Sequence, residues 1–581
     1  METIPFSTVR ALADRQASDG RADGFTEELY QGIVYRTRRG GILLLAYAAG
    51  LWLLRTRAIQ IGSGIRRAIG RTSRVFRGAI AHWWHTAPGW ERWGLIAALT
   101  AGLAVRLLWI HAPLRHDEAF TMEAYARTPV YRLLTDMREP NNHLLHTLLA
   151  SISIRIFGDS EWALRLPALW AGWASIAAAF AAFRVLAGGG AALAAAVLMA
   201  TQMAQIEYSV LARGYSLVTL FFLLGILTVY RWPQRPRSPV RRWAFTLIIT
   251  LSLCTILSSL YVAAVLGTWL LLLGLEQKHT HWRSVFQAAA GAGATAAAFT
   301  VLFYFPAGLV HGPTQYFQSR FMQPAAFSYA KEQAIELAAG MPAYWGSGWP
   351  PAFQFFLWAL ALLGVVALSR AASSNGSWLP LPLLAPLLCF GLTLAQRVVH
   401  FRRSFLFLSP LFLGAAGCGL AWLTNRVRWQ PALPYAAAAM GITAIFTVTA
   451  SQAVYLSNEI GNARDIREAT AYLQGLHLEA RDHVSVTLVS SMPAIYYFRK
   501  AGIPTSVLDH SRTRPRRLFA LEDVLPAQPV SGNAENRIMA DKNLVVRIDG
   551  FDTEQMPPPV LLWQSRWCRL WLYDTQNLSY P

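Results

Sequence analysis

Apolar runs alternate with short polar ones through most of the chain, and many approach the roughly 20 residues a helix needs to cross a bilayer core. They lie at about 93–111, 166–184, 190–206, 215–231, 243–258, 259–275, 285–307, 352–370, 379–396, 405–423 and 431–456. This pattern predicts about eleven transmembrane helices with juxtamembrane helices between them. A shorter stretch, GILLLAYAAGLWLL (41–54), has arginines on both flanks and reads as an interfacial, in-plane helix. After residue 456 the pattern changes. ARDIREATAYLQGL has a helical period, VSVTLVS, NLVVRIDGF and RWCRLWLYD read as strands, and the Pro-rich RTRPRRLFALEDVLPAQPVSGNAEN lies between them. Three regions follow: a basic N-terminal region (1–92), a polytopic all-α membrane domain (93–456) and a small soluble α/β domain (457–581).

Composition supports the membrane reading. Only 14% of residues are charged, against about 25% in soluble domains. The net charge of +20 would suggest nucleic acid in a soluble protein. Here the cations concentrate between apolar runs, as they do in cytoplasmic loops, so no nucleic-acid partner is expected. The basic stretches are RTRAIQIGSGIRRAIGRTSRVFRG, Arg184, RWPQRPRSPVRRW, EQKHTHWR and TNRVRW. With these inside, residues 112–165, the loop at Arg213, loops 308–350 and 397–404, and the tail fall outside. The expectation is an integral protein of a bacterial inner membrane, with a cytoplasmic N-terminus and an extracytoplasmic C-terminal domain. Four scattered cysteines give no disulfide framework, and the first 25 residues show no hydrophobic signal region.

The outer loops hold the candidate chemistry. The stretch RHDEAFTMEAY follows the first span directly, which sets Asp117 and Glu118 at the membrane face. The same loop carries Glu123, Asp136, Glu139, His143, His146, Asp159 and Glu161, an acidic cluster that repels itself unless cations answer it. The structural alternative makes Asp117 the cap of a helix EAFTMEAYAR, with Ala119, Phe120, Met122 and Tyr125 against lipid. In EPNNHLLHTLLASISIRIFG, Asn141, Asn142, His143 and His146 open an apolar helix, the histidines spaced i, i+3. Such a pair suits a metal or a sugar hydroxyl, although a buried histidine is as readily satisfied by a backbone carbonyl. Arg213, near Tyr215 and Glu207, and the group Arg397, His400, Arg402 and Arg403 break the positive-inside trend. Guanidinium forks on an outer face suit phosphate oxygens or anionic lipid headgroups. No Gly-rich phosphate loop, CxxC pair or HExxH occurs.

Taken in order, RHDEAF, the His-containing helix start, GDSEWALRLPAL, ARGYSL and FRRSFLFLSP resemble the GT-C glycosyltransferases over about residues 93–456. The likeness is to the branch of the protein O-mannosyltransferases and the lipid A aminoarabinose transferase. It implies a GT-C-like membrane fold with a variable extracytoplasmic domain. It also implies transfer of a sugar from a polyprenyl-phosphate or polyprenyl-diphosphate carrier to a glycan, lipid or protein acceptor outside the membrane. On that resemblance Asp117 is the general base or an acceptor-orienting group, with Glu118 beside it, while Glu139, Asn142, His143 and His146 hold substrate or acceptor. Arg213, Tyr215, Arg397, Arg402 and Arg403 fall near the carrier phosphate. No cofactor is certain, and a divalent metal stays open, with Glu139 and His143 as candidate ligands. The chain departs from the pattern at Asn141–Asn142, Leu144–Leu145, Leu211 and Arg403–Ser404. Two other classes stand as alternatives: a transporter of lipid-linked sugars, which would want midspan charge and interrupted helices, and an anchored assembly protein. Only Arg106 offers a midspan charge, and no repeat is visible.

Overall fold

The computed structural model describes residues 81–508, 516–523 and 558–574, apart from gaps at 138, 140, 277–281, 313–323, 376–380, 399, 428–432, 458–460, 462 and 480; before residue 81 it describes 5–17 and isolated positions. The in-plane helix expected at 41–54 and the strand expected at NLVVRIDGF lie outside the described residues, 41 and 45 excepted.

A helix lies on each of the eleven apolar segments, beginning with Gly89–Leu107 and Glu161–Ala187 and ending with Leu433–Ala450. Among the described residues, five are long and apolar enough to cross a membrane, or six if one bent pair counts as a single span. The chain is an integral membrane protein, but length and composition do not reach eleven spans. Tyr215–Tyr230, for example, has 16 residues; at 1.5 Å per residue that is about 24 Å, short of a core of about 30 Å.

The bent pair is Gly189–Thr201 followed by Met203–Ser209, turned by 60°. The turn leaves carbonyls at the end of the first helix without helical partners. Arg106, fully buried, answers them: its guanidinium donates to Ala200 O at 3.0 Å and Met199 O at 3.3 Å, and to Gly102 O at 2.8 Å. The midspan charge is therefore a helix-end brace, as a cation at a helix C-terminus should be. Gln202 fills the turn, donating to Trp345 O and accepting from Ser409. Helices Pro351–Asn375 and Ser409–Arg426 cross with backbones in contact, since a Cβ on Gly364 or Gly419 would strike the opposing carbonyl of Ala415 or Leu360. Small residues permit that approach where lipid supplies no hydrophobic drive.

The tail forms a four-stranded sheet of order β1-β2-β4-β3, with β1 (His483–Val486) parallel to β2 (Leu518–Asp523). β4 (Cys568–Tyr573) runs antiparallel to both β2 and β3 (Val560–Gln564). Two expectations change here. VSVTLVS is a strand only to Val486, because Thr487 accepts the Ser490 N–H and starts helix Leu488–Ala501. LFALED, read as connection, is the inner strand β2, with Leu518, Phe519, Ala520 and Leu521 buried.

The tail shares a hydrophobic core with the segment 112–165: Leu114, Ala119 and Met122 pack with Ile466, Tyr497 and Phe498. This also corrects the expected lipid-facing side of EAFTMEAYAR. Ala119, Met122 and Tyr125 are buried in protein, and after Phe120 the helix widens into a π segment, Thr121–Ala126.

Candidate active site at the first outer loop

Helix His116–Phe120 is fixed first by Glu118, not by Asp117. The Glu118 carboxylate reaches back to accept the Arg115 N–H at 3.1 Å, which is the return arm of a capping box and replaces the expected Asp117 cap. It is fully buried and also accepts the Ala212 N–H at 2.8 Å and a two-pronged grip from Arg165, Nε at 2.8 Å and Nη2 at 2.7 Å. Arg165 is equally buried and donates further to the carbonyls of Ile110, Ala112 and Pro113. A second buried pair stands beside it: Arg115 Nη1 meets Glu207 at 2.6 Å and Nη2 meets Val454 O at 2.6 Å. Charges survive this depth only when paired with an opposite charge or hydrogen-bonded.

Asp117 is held more loosely. Its side chain is 15% exposed. Oδ1 accepts from the Asn141 amide at 3.3 Å, and Oδ2 lies 3.6 Å from Arg213 Nη2. The other well-placed acids of the loop are in tighter pairs: Glu123 with Arg499 at 2.9 Å, Asp159 with Arg499 at 2.8 Å and Glu161 with Arg467 at 3.1 Å.

Arg213 links Asp117 to the rest of the site. Its Nη1 donates to Asn141 O at 3.0 Å, and Nη2 lies 3.1 Å from His143 Nε2. His143 stands at the start of helix Leu144–Phe157, and its Nδ1 accepts the Gly214 N–H at 2.8 Å. With Nδ1 accepting from Gly214, the ring is not imidazolium, which can accept at neither nitrogen. Burial first, then the charges of Arg213, His146 and Arg403, hold its pKa well below the ordinary 6.5. The Tyr215 ring meets His143 edge-on at 5.0 Å. The Tyr215 hydroxyl accepts from Arg403 Nε at 3.2 Å, and the Arg403 guanidinium lies over the Phe401 ring at 4.1 Å. One run of contacts therefore joins Asp117, Arg213, His143, Tyr215 and Arg403, across loops far apart in sequence.

Solved structures similar to this chain include two transferases. ArnT from Cupriavidus metallidurans, the lipid A aminoarabinose transferase, matches in its apo state with a TM-score of 0.49 and 12% identity, over 83% of this chain and 98% of that one. The same protein bound to undecaprenyl phosphate matches with a TM-score of 0.49 and 13% identity, over 84% and 98%. The Archaeoglobus fulgidus oligosaccharyltransferase, in complex with zinc and sulfate, gives 0.43 and 11%, over 74% of this chain and 67% of that one. No family model and no curated protein matches.

The remaining expected residues separate from the run just described. Asn142 is buried and turns its amide to Leu133 O and Asp136 O, both at 2.9 Å, which braces helix Val130–Thr135 rather than facing the site. Glu139 and Arg397 are exposed. His146 is fully buried, with no hydrogen-bond partner for either ring nitrogen among the described residues. Arg402 lies against Gly340 of helix Phe327–Gly346. His400 turns away to Tyr261, its Nε2 at 2.9 Å from the hydroxyl. Among the described residues no three His, Cys, Asp or Glu side chains gather as a metal set, and His143 Nδ1 accepts the Gly214 N–H. Residues not assigned to the site from the sequence are Asn141, Arg115 and Arg165. An arginine at the outer end of an apolar run must find a carboxylate or leave the bilayer, and Arg165 in GDSEWALRLPAL carried that signal.

Proposed function

We propose that this chain is a glycosyltransferase that moves a sugar from a polyprenyl-phosphate carrier to an acceptor hydroxyl at the extracytoplasmic face of a bacterial inner membrane. The observation that carries the reading is Asp117. It is the loop carboxylate set near cations yet neither exposed nor closed in a tight pair, with Arg213 at 3.6 Å and the Asn141 amide at 3.3 Å.

In this reading Asp117 takes the proton of the acceptor hydroxyl as its oxygen bonds to the anomeric carbon. The bond from that carbon to the carrier phosphate oxygen breaks, and the phosphate leaves with the electron pair. Proton removal by a placed carboxylate contributes about 10²–10⁴-fold. Arg402 and Arg403, with Arg397 at the rim, answer the charge that grows on the leaving phosphate. Arg213, nearly buried, keeps a positive charge beside Asp117, and His143 and Tyr215 tie that charge to Arg403. Glu118 acts through position, since all its partners are protein groups.

A place for the lipid tail lies alongside. An apolar cavity of about 380 Å³ opens between helices Phe327–Gly346, Pro351–Asn375, Leu381–Gln396 and Ser409–Arg426. Phe405 lines it two residues after Arg403, and the helix carrying Gly340, against which Arg402 rests, supplies Ala334, Leu337 and Met341 to its wall. A carrier with its tail there and its phosphate at the arginines would present the sugar toward the outer loops.

The test is transfer in membranes from radiolabelled polyprenyl-phosphate sugars, with the anomeric configuration of the product read by NMR. A single displacement yields inversion. Retention would sink the one-step mechanism, and movement of intact donor across vesicles without transfer would identify a transporter. A cysteine at the exposed Lys331 should react with an impermeant thiol reagent from outside; reaction only after lysis would reverse the orientation.

A further inference from the structure

The helix that carries Asp117 is held from the C-terminal domain at its entry. Leu114 N–H donates to the Tyr497 hydroxyl at 3.0 Å, and that hydroxyl donates to Glu161 at 3.1 Å. His116 N–H, one residue before Asp117, donates to Gly461 O at 2.8 Å. Tyr497 sits on helix Leu488–Ala501, which packs on the short catalytic helix and contributes to the same core. Gly461 has φ +73°, and a Cβ there would come within 2.9 Å of the His116 Cβ. Two N–H groups at the entry to the Asp117 helix, those of Leu114 and His116, thus find their acceptors at Tyr497 and Gly461, a distance in sequence no local turn supplies. Buried N–H groups left without acceptors would let this entry segment shift.

We propose that the C-terminal domain is part of the active centre, with Tyr497 and Gly461 as positioning residues that set the place of Asp117. The proposal rests on Asp117 being the base described above. It assigns the tail a task in the transfer step rather than in acceptor capture alone. A shift of about 1 Å at a reacting group costs on the order of 10²-fold, so losing one of two anchors should lower turnover with donor KM little changed.

The experiment uses the full-length protein in membranes or detergent, as Tyr497→Phe, Asp117→Asn and the double variant, with Gly461→Ala as a second probe and Tyr472→Phe as control. Tyr472 bonds Leu562 O within the tail. Hydrogen exchange of the peptide spanning 112–120 should rise in Tyr497→Phe and stay as wild type in Tyr472→Phe. Turnover should fall on the order of tenfold in Tyr497→Phe, and Tyr497→Phe should cost nothing further once Asp117 is Asn. An equal loss in both backgrounds would make Tyr497 merely structural and overturn the proposal, as would unchanged exchange and turnover in Tyr497→Phe. Should Tyr497→Phe fold poorly, Gly461→Ala must show the same dependence on Asp117. Full activity of Asp117→Asn would instead defeat the base assignment, while raised exchange at 112–120 would still show the tail's hold on the loop.

Discussion

The two flanks of helix His116–Phe120 hold neighbouring carboxylates in opposite ways. On one flank Glu118 is fully buried and receives four donors from Arg165, Ala212 and Arg115. On the other, Asp117 is partly open, meets one amide at 3.3 Å and stands 3.6 Å from its cation. A carboxylate saturated by protein donors cannot take a proton from a substrate without breaking the fold around it. A carboxylate held by one side and open on the other can. The sealed flank thus fixes the backbone, and the open flank is the one the proposed transfer uses. The same division separates the arginines: Arg165 and Arg115 are consumed by the scaffold, while Arg402 and Arg397 stand nearer solvent.

The sharpest way to break this contrast is Glu118→Gln. It leaves Arg165 buried beside a neutral amide, and losing one partner of a buried pair costs about 3–5 kcal/mol. Poor expression or a large fall in melting temperature is expected, and a normally stable Glu118→Gln protein would show that the sealed flank is not structural. Next comes Arg403→Ala, which removes the cation at the basic end of the contact run. Turnover should fall on the order of 10²-fold with melting little changed, as measured by transfer at saturating donor. Asn141→Ala is milder. Its carbonyl still holds Arg213, but Asp117 loses its amide donor, and turnover should drop about tenfold. If the rate is unchanged, Asp117 needs no help from that side.

The smallest expected effect is on pH. His143 is neutral when folded and takes a proton readily once unfolded, near pH 6.5. A folded pKa below the unfolded one gives stability that is complete above about 6.5 and declines as pH falls below it. His400, whose pKa burial lowers to about 4, should add to the same slope between about 6.5 and 4. Melting temperatures of wild type and His400→Gln between pH 7.5 and 4.5 check this; the variant should show the shallower decline.

Much of the frame was legible in the residues. Apolar length places a helix on every predicted segment, because burial and lipid both select the same residues there. Span counts were less legible, since a break such as that at Gln202 is set by partners, Trp345 and Ser409, that lie far along the chain. Arg213 and Arg403 could be named singly from the mismatch between charge and expected membrane face, Asp117 from its place at the end of an apolar run, His143 from its place at a helix start, and Tyr215 from its place beside Arg213. Their joining through Tyr215 could not, because it depends on a tertiary contact across 188 positions. Asn142 misled for a related reason: Asn141 and Asn142 look equivalent in sequence, and only the turn before Leu144 decides which amide points at Asp117 and which at Leu133 O. Strand β2 was hidden by its polar, Pro-rich flanks, and pairing with β1 and β4 overrides that local signal.

The central claim is that Asp117 does the chemistry while Glu118 holds the fold. Assaying Asp117→Asn beside wild type, with melting temperature and transfer measured on the same preparations, tests it most directly. The expected result is a protein that melts as wild type does and has lost about 10²–10⁴-fold of its turnover. Full transfer by a normally folded Asp117→Asn protein would contradict it.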